Sequence, residues 1–127
     1  MRLLLDTHAL LWWLLDDPAL PATARRAIER AEAVYASAAS VWEIAIKQRL
    51  GKLPELAISV AELPGLIGQS GFVPLPVHDR HAAAVCALPQ HHRDPFDHLL
   101  IVQARMEGLT LVSRDAQFKA YGIALKW

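Results

Sequence analysis

Two short stretches of this chain are apolar at almost every position: Leu3-Leu4-Leu5 near its start and Leu109-Thr110-Leu111-Val112 near its end. A strand with one wet face alternates apolar and polar residues. An unbroken apolar run of this length marks a strand buried on both faces. Such strands belong to parallel sheets, because the helical crossovers that join parallel neighbours also cover the two faces. The pair therefore argues against an all-helical fold and against an open antiparallel sheet. Each run also meets an acid at its end, Asp6 after the first and Asp115 shortly after the second.

The rest of the pattern agrees. Strands are expected over 2–6, 33–36, 72–77, 109–113 and 123–127, separated by helices. Helices are expected over 8–15, from Pro21 through Arg30, from a cap at Ser37 or Ser40 to near Gly51, over 59–69, 78–88 and 95–107, and over 116–120. Pro64-Gly65 argues for a break in the fourth of these, and Pro74 and Pro76 place strand 72–77 at a sheet edge. Asp94 reads as a cap, Pro95 as the first helical residue and Gly108 as the stop. The expected fold is α/β, one domain over residues 1–127 with a central, mostly parallel sheet flanked by helices.

Thirteen basic and thirteen acidic residues leave no net charge, so overall charge favours neither nucleic acid nor a membrane as partner. A nucleic-acid substrate would need a local basic patch. The single cysteine, Cys86, excludes an internal disulfide and suits a reducing cytosol; its apolar surroundings predict a small core residue. Asp6 breaks the apolar start too early for a signal peptide, and the longest uncharged apolar run, Ala9 to Leu15, falls far short of the roughly 20 residues that span a bilayer. A cytoplasmic protein is expected. No glycine-rich phosphate loop is present. His78, His81, His91 and His92 are expected as solvated or capping residues rather than zinc ligands. Trp12 and Trp13 are neighbours on one helix and cannot share a face; core packing is the expected role, with a contact to an antitoxin or a second copy as the alternative.

Four carboxylates stand where apolar runs meet polar breaks: Asp6, Glu43, Asp97 and Asp115. Each has an ordinary reading. Asp6 and Asp115 fit helix caps, Glu43 can pair with Lys47 one turn on, and Asp97 can complete a capping box begun at Asp94. Carboxylates beside buried segments are costly unless paired, hydrogen-bonded or bound to a cation. Asp6 and Asp115 follow strand ends, where sites form in parallel sheets. If the fold gathers all four, the natural occupant is a hard divalent cation and the natural chemistry is phosphodiester hydrolysis. Lys47, Arg49, Lys52, Arg93 and Arg114 lie close to these acids in sequence and are candidate contacts to a phosphate backbone.

The chain resembles the PIN-domain family, and within it the VapC-type ribonuclease toxins of toxin–antitoxin pairs. Leu4-Leu5-Asp6-Thr7-His8-Ala9-Leu10-Leu11-Trp12, Ser40-Val41-Trp42-Glu43-Ile44-Ala45-Ile46-Lys47, His92-Arg93-Asp94-Pro95-Phe96-Asp97-His98 and Leu111-Val112-Ser113-Arg114-Asp115 carry the likeness. The resemblance implies a three-layer α/β fold with an acidic pocket for Mg²⁺ or Mn²⁺. Asp6, Glu43 and Asp97 carry over as metal-site acids and Asp115 as the fourth, with Asp94, Ser113 and Thr7 as supporting residues. It implies RNA hydrolysis by a cation-activated water, a cognate VapB-type antitoxin and a homodimer. Alternatives are a PIN-like nuclease of RNA processing or of DNA, and an inactive binding module. Two departures stand out: relatives of this subgroup often carry Arg where this chain has His98, and Thr where it has Ser113. The first would weaken a basic contact and bears on substrate preference; the second keeps the hydroxyl.

Overall fold

A computed structural model describes residues 1–54 and 56–127. The strands are β1 (Arg2–Leu5), β2 (Ala33–Ser37), β3 (Val73–Leu75), β4 (Thr110–Val112) and β5 (Leu125–Lys126). The α-helices are α1 (Thr7–Leu14), α2 (Ala22–Arg30), α3 (Ala38–Arg49), α4 (Leu63–Gln69), α5 (Asp79–Ala84) and α6 (Pro95–Glu107). Short 3₁₀ turns cover Val60–Glu62, Val85–Ala87 and Ala116–Tyr121. The five strands form one sheet in the order β3-β2-β1-β4-β5, and every pairing is parallel.

Successive side chains of a strand point to opposite faces, and here that divides the core in two. Leu3, Leu5 and Val112 pack on one side with Leu10, Ala24, Ile28, Ile44 and Ile67. Leu4 and Leu111 pack on the other with Leu100, Ile101, Phe118 and Tyr121. Helices thus cover both faces, as the unbroken apolar runs require. The chain moves outward from β1 through β2 to β3, then returns to place β4 on the other side of β1. The order reverses between β1 and β4, and a parallel sheet opens a crevice at the carboxyl ends of the strands at such a point.

Local chemistry sets α6 almost completely. The Asp94 side chain accepts the N–H groups of Phe96 at 2.9 Å and Asp97 at 3.2 Å. Pro95 occupies the first turn, and Gly108 ends the helix at φ 66, a left-handed conformation that glycine adopts freely. In α4 the break falls before Leu63 and not at Pro64-Gly65, because Pro64 sits in the first turn where no amide donor is needed. Pro21 stands one residue outside α2, as its cap. β3 is an edge strand, as its prolines predict.

Several side chains depart from expectation. Cys86 is exposed rather than part of the core, because its segment ends in a 3₁₀ turn instead of continuing α5. The tryptophans do not depart: Trp12 and Trp13 are both half-buried and both pack against the core, the expected role. Trp13 lies on Phe72, and Trp12 on Trp127. His81 is fully buried. It accepts the His78 N–H at 3.0 Å, so it caps α5 without being solvated.

Candidate active site

Asp6 ends β1 and caps α1, accepting the Ala9 N–H at 2.8 Å. Its own N–H reaches the Val112 carbonyl of β4 at 3.1 Å, so it stands in the β1/β4 crevice. Only 5 % of it is exposed. Burial raises its pKa, with the Asp115 charge adding, while hydrogen bonds from Ser113 and Ala9 and the charge of His8 oppose the rise. Asp115 follows β4 and caps the turn Ala116–Tyr121, accepting the Gln117 N–H at 2.9 Å. Its backbone N–H donates to the Ser113 hydroxyl at 3.0 Å. Ser113 therefore contacts both acids. Asp6 and Asp115 line one hollow of about 360 Å³ with His8, Trp12, Arg114 and Ala116.

Glu43 lies in α3 and is 4 % exposed. Apolar neighbours do not explain that burial, because Trp42 beside it is 59 % exposed. Helical periodicity explains it: Ala39, Ser40, Glu43 and Ile44 share the inward face. The Thr7 hydroxyl is 2.7 Å from Glu43 Oε1 and 3.0 Å from the Ser40 hydroxyl. A hydroxyl donates once and a carboxylate only accepts, so Thr7 donates to Glu43 and receives from Ser40. Lys47 meets the other carboxylate oxygen at 2.5 Å.

Asp97 sits in the first turn of α6. Burial pushes its pKa up to about 7, with the charges of Asp94 and Glu43 adding; a hydrogen bond from His92 opposes this. The mutual influence of Asp97 and Glu43 puts the two in electrostatic reach, as it does Asp6 and Asp115. Asp94 serves as the α6 cap, which sets where Asp97 stands.

All four acids thus lie toward the carboxyl edge of the sheet, but each is committed to partners of its own. Among the described residues, no three His, Cys, Asp or Glu side chains stand as a ready-made metal-holding group. The donor set is nonetheless all oxygen, the chemistry of a hard cation. Among the described residues, Lys47 and His92 provide the cationic or polar partners within salt-bridge distance of these acids.

The basic residues divide. Lys47 and Lys52 line a second hollow of about 320 Å³ that shares His8 and Trp12 with the first. Arg114 lies over the Trp12 ring, 4.7 Å from its centroid, a cation–π contact. Arg49 lines a different hollow, beside Trp42. Arg93 is exposed in the loop before Asp94. His98 is 6 % exposed and hydrogen-bonds the His92 carbonyl at 2.7 Å, so it braces the loop before α6. Sequence reasoning missed His92 and Tyr121. The adjacent pair His91-His92 was the available signal, but spacing within one loop does not reveal a partner on α6.

The sequence profile of the PIN domain matches residues 3–124. The chain is 30 % identical over 123 residues to Ribonuclease VapC22 of Mycobacterium tuberculosis, covering 93 % of this chain and 90 % of that protein. Ribonuclease VapC16 of the same organism is 46 % identical over 50 residues, a match to 39 % of this chain and 36 % of that protein. Among solved structures, VapBC2 from Rickettsia felis, bound to a DNA fragment from its promoter, is similar with a TM-score of 0.71. That alignment covers 99 % of this chain and 98 % of the other at 14 % identity, a likeness of fold.

Proposed function

The chain belongs to the PIN-domain family, and from that premise we propose that it is a divalent-metal-dependent endoribonuclease, the toxin of a toxin–antitoxin pair. The observation that carries this reading is the burial of Asp6, which shares a hollow with Asp115, and of Glu43, which lies in electrostatic reach of Asp97; Asp6 and Glu43 are 5 % and 4 % exposed. Buried acids of this kind are stabilised when a cation joins them. Asp6, Glu43, Asp97 and Asp115 are the residues that would hold Mg²⁺ or Mn²⁺. When bound, the cation supplies activation of the attacking water and neutralisation of the scissile phosphate.

The chain's own residues do the rest. Thr7 orients Glu43 through a 2.7 Å hydrogen bond. Ser113 steadies Asp6 and the backbone of Asp115. Lys47, Lys52 and Arg114 lie along the two joined hollows and offer a path for the phosphate backbone past an otherwise repulsive site. Arg49 lines a different hollow, and Arg93 is exposed in the loop before Asp94. Unpaired RNA is the proposed substrate form, because single-stranded loops and ends are the most accessible to a protein. A VapB-type antitoxin is a proposed protein partner, supported by structural neighbours solved as VapBC; a second copy of the chain is the other. No described helix is long and apolar enough to cross a membrane; the proposed site of action is the cytoplasm, where an RNA substrate would be met.

Purified protein incubated with total RNA in Mg²⁺ should cut it and leave 5′-phosphate ends, and chelator should stop it. Asp6→Asn should abolish the cutting with the circular dichroism spectrum unchanged. Undiminished cleavage by Asp6→Asn, prepared free of other nucleases, would remove the reading.

A further inference from the structure

The loop before α6 holds a chain of hydrogen bonds whose direction follows from counting protons. Tyr121 Oη lies 3.1 Å from the His91 N–H and 3.2 Å from the His92 N–H. Backbone N–H groups only donate, so both acceptor positions of the phenol oxygen are taken and its hydrogen must go elsewhere. His92 Nδ1 is 2.7 Å away. The other nearby ring nitrogen, His98 Nε2, is 3.4 Å away and already donates to the His92 carbonyl at 2.7 Å. Tyr121 therefore donates to His92 Nδ1. That nitrogen carries no hydrogen, and the proton of the neutral ring sits on Nε2. His92 Nε2 is 3.0 Å from Asp97 Oδ2.

We propose that His92, its tautomer set by Tyr121, is a positioning residue that holds Asp97 by Oδ2 and leaves Oδ1 to a divalent cation. The inference rests on the reading of Asp97 as a metal-site acid. The ring cannot swing away: its side chain is 9 % exposed, with Tyr121 5.4 Å and His98 5.1 Å from it between centroids. A rigid donor behind a carboxylate fixes the direction in which its free oxygen points, so less order is lost when an ion arrives. Outer partners of this kind are worth about 10–100-fold in metal affinity.

The test is a Mn²⁺ titration of the full chain by calorimetry and electron paramagnetic resonance, together with ¹⁵N spectra of the histidine rings. His92→Ala should weaken Mn²⁺ binding by about 10–100-fold. His92→Gln, whose amide N–H replaces the Nε2–H, should recover most of that loss, which a purely structural role would not predict. Asp97→Asn serves as the reference for loss of a ligand. The wild-type ¹⁵N spectrum should show His92 bare at Nδ1 and protonated at Nε2. If Asp97→Asn loses binding and His92→Ala does not, the positioning role is wrong and the metal site stands. If wild type and Asp97→Asn bind Mn²⁺ alike, the metal-site reading fails and takes the proposal with it. A His92 ring protonated at Nδ1 overturns the proposal even if both His92 variants fail to fold.

Discussion

One helix carries a carboxylate–histidine pair at each end, and the two behave in opposite ways. At the C-terminal end of α6, Glu107 meets His81 at 3.3 Å and Arg80 at 2.7 Å, and its pKa falls to about 2, led by the Arg80 hydrogen bond. At the N-terminal end, Asp97 meets His92 at 3.0 Å, yet its pKa rises to about 7, led by burial. The helix dipole favours the reverse, with an acid helped at the N-terminus and hindered at the C-terminus. Neighbours override it. Glu107 has an arginine and a partly wet surface; Asp97 has other acids and little water. The lesson is that a histidine partner does not mark a site. What marks one is an acid whose remaining neighbours repel it.

The C-terminal end also belongs to a closed polar network. Gln103, fully buried one turn before Glu107, accepts the Ser37 hydroxyl at 2.6 Å. It donates to the Pro76 carbonyl at 3.0 Å. Among the described residues, no buried side-chain polar atom lacks a partner. Such a network ties α6 to the start of α3 and the end of β3, and so fixes the helices that bear Glu43 and Asp97.

The sharpest break of the comparison is Asp97→Asn, which should act on chemistry and stability in opposite directions. Losing a ligand of the proposed metal site should cut RNA cleavage by about a thousandfold or more, since several kcal/mol of charge stabilisation disappear. Without metal, the same change should stabilise the fold near neutral pH. The native carboxyl holds its proton up to about pH 7, against a usual pKa of 3.8. Between those values the native state binds more protons than the unfolded chain, so stability falls as pH rises through the window. Asp97→Asn should match the parent at pH 4 and exceed it at pH 8 by on the order of 4 kcal/mol. Urea unfolding in chelator at both values measures the difference; a variant less stable than the parent at pH 8 would contradict the raised pKa.

Gln103→Ala is the counterpart at the other end. It strands the Ser37 hydroxyl and the Pro76 carbonyl, and should cost roughly 1–3 kcal/mol, read from the urea midpoint. Cleavage per folded molecule should change far less than in Asp97→Asn. The smallest effect is expected from Arg80→Ala. Arg80 is a surface partner, and such pairs contribute little. The urea midpoint should move slightly and the cleavage rate should not move; a large loss of activity would mean that the two ends of α6 are coupled.

Much of the architecture was legible because it is local. Leu3-Leu4-Leu5 and Leu111-Val112 are buried on both faces, as an unbroken apolar run demands, and α6 begins and ends where Asp94-Pro95 and Gly108 place it. The place of Asp6 at the end of an apolar strand also followed from pattern, and so did the pairing of Glu43 with Lys47 one turn on. Cys86 was misjudged because its apolar segment leaves the helix before reaching the core. The basic contacts were only partly legible: Lys47 and Arg49 are two residues apart on α3 and point to different hollows.

Residues at fixed short spacing carry their geometry with them, so caps, stops, buried strands and the list of acids belong to the chain as written. The strand order that sets β4 beside β1, the seat of Asp115 across from Asp6, and the line from Tyr121 through His92 to Asp97 belong to the fold. Those partners are remote in sequence or share a loop without periodicity. Only the packing of α6 and the turn Ala116–Tyr121 against the sheet decides which donor meets which acceptor.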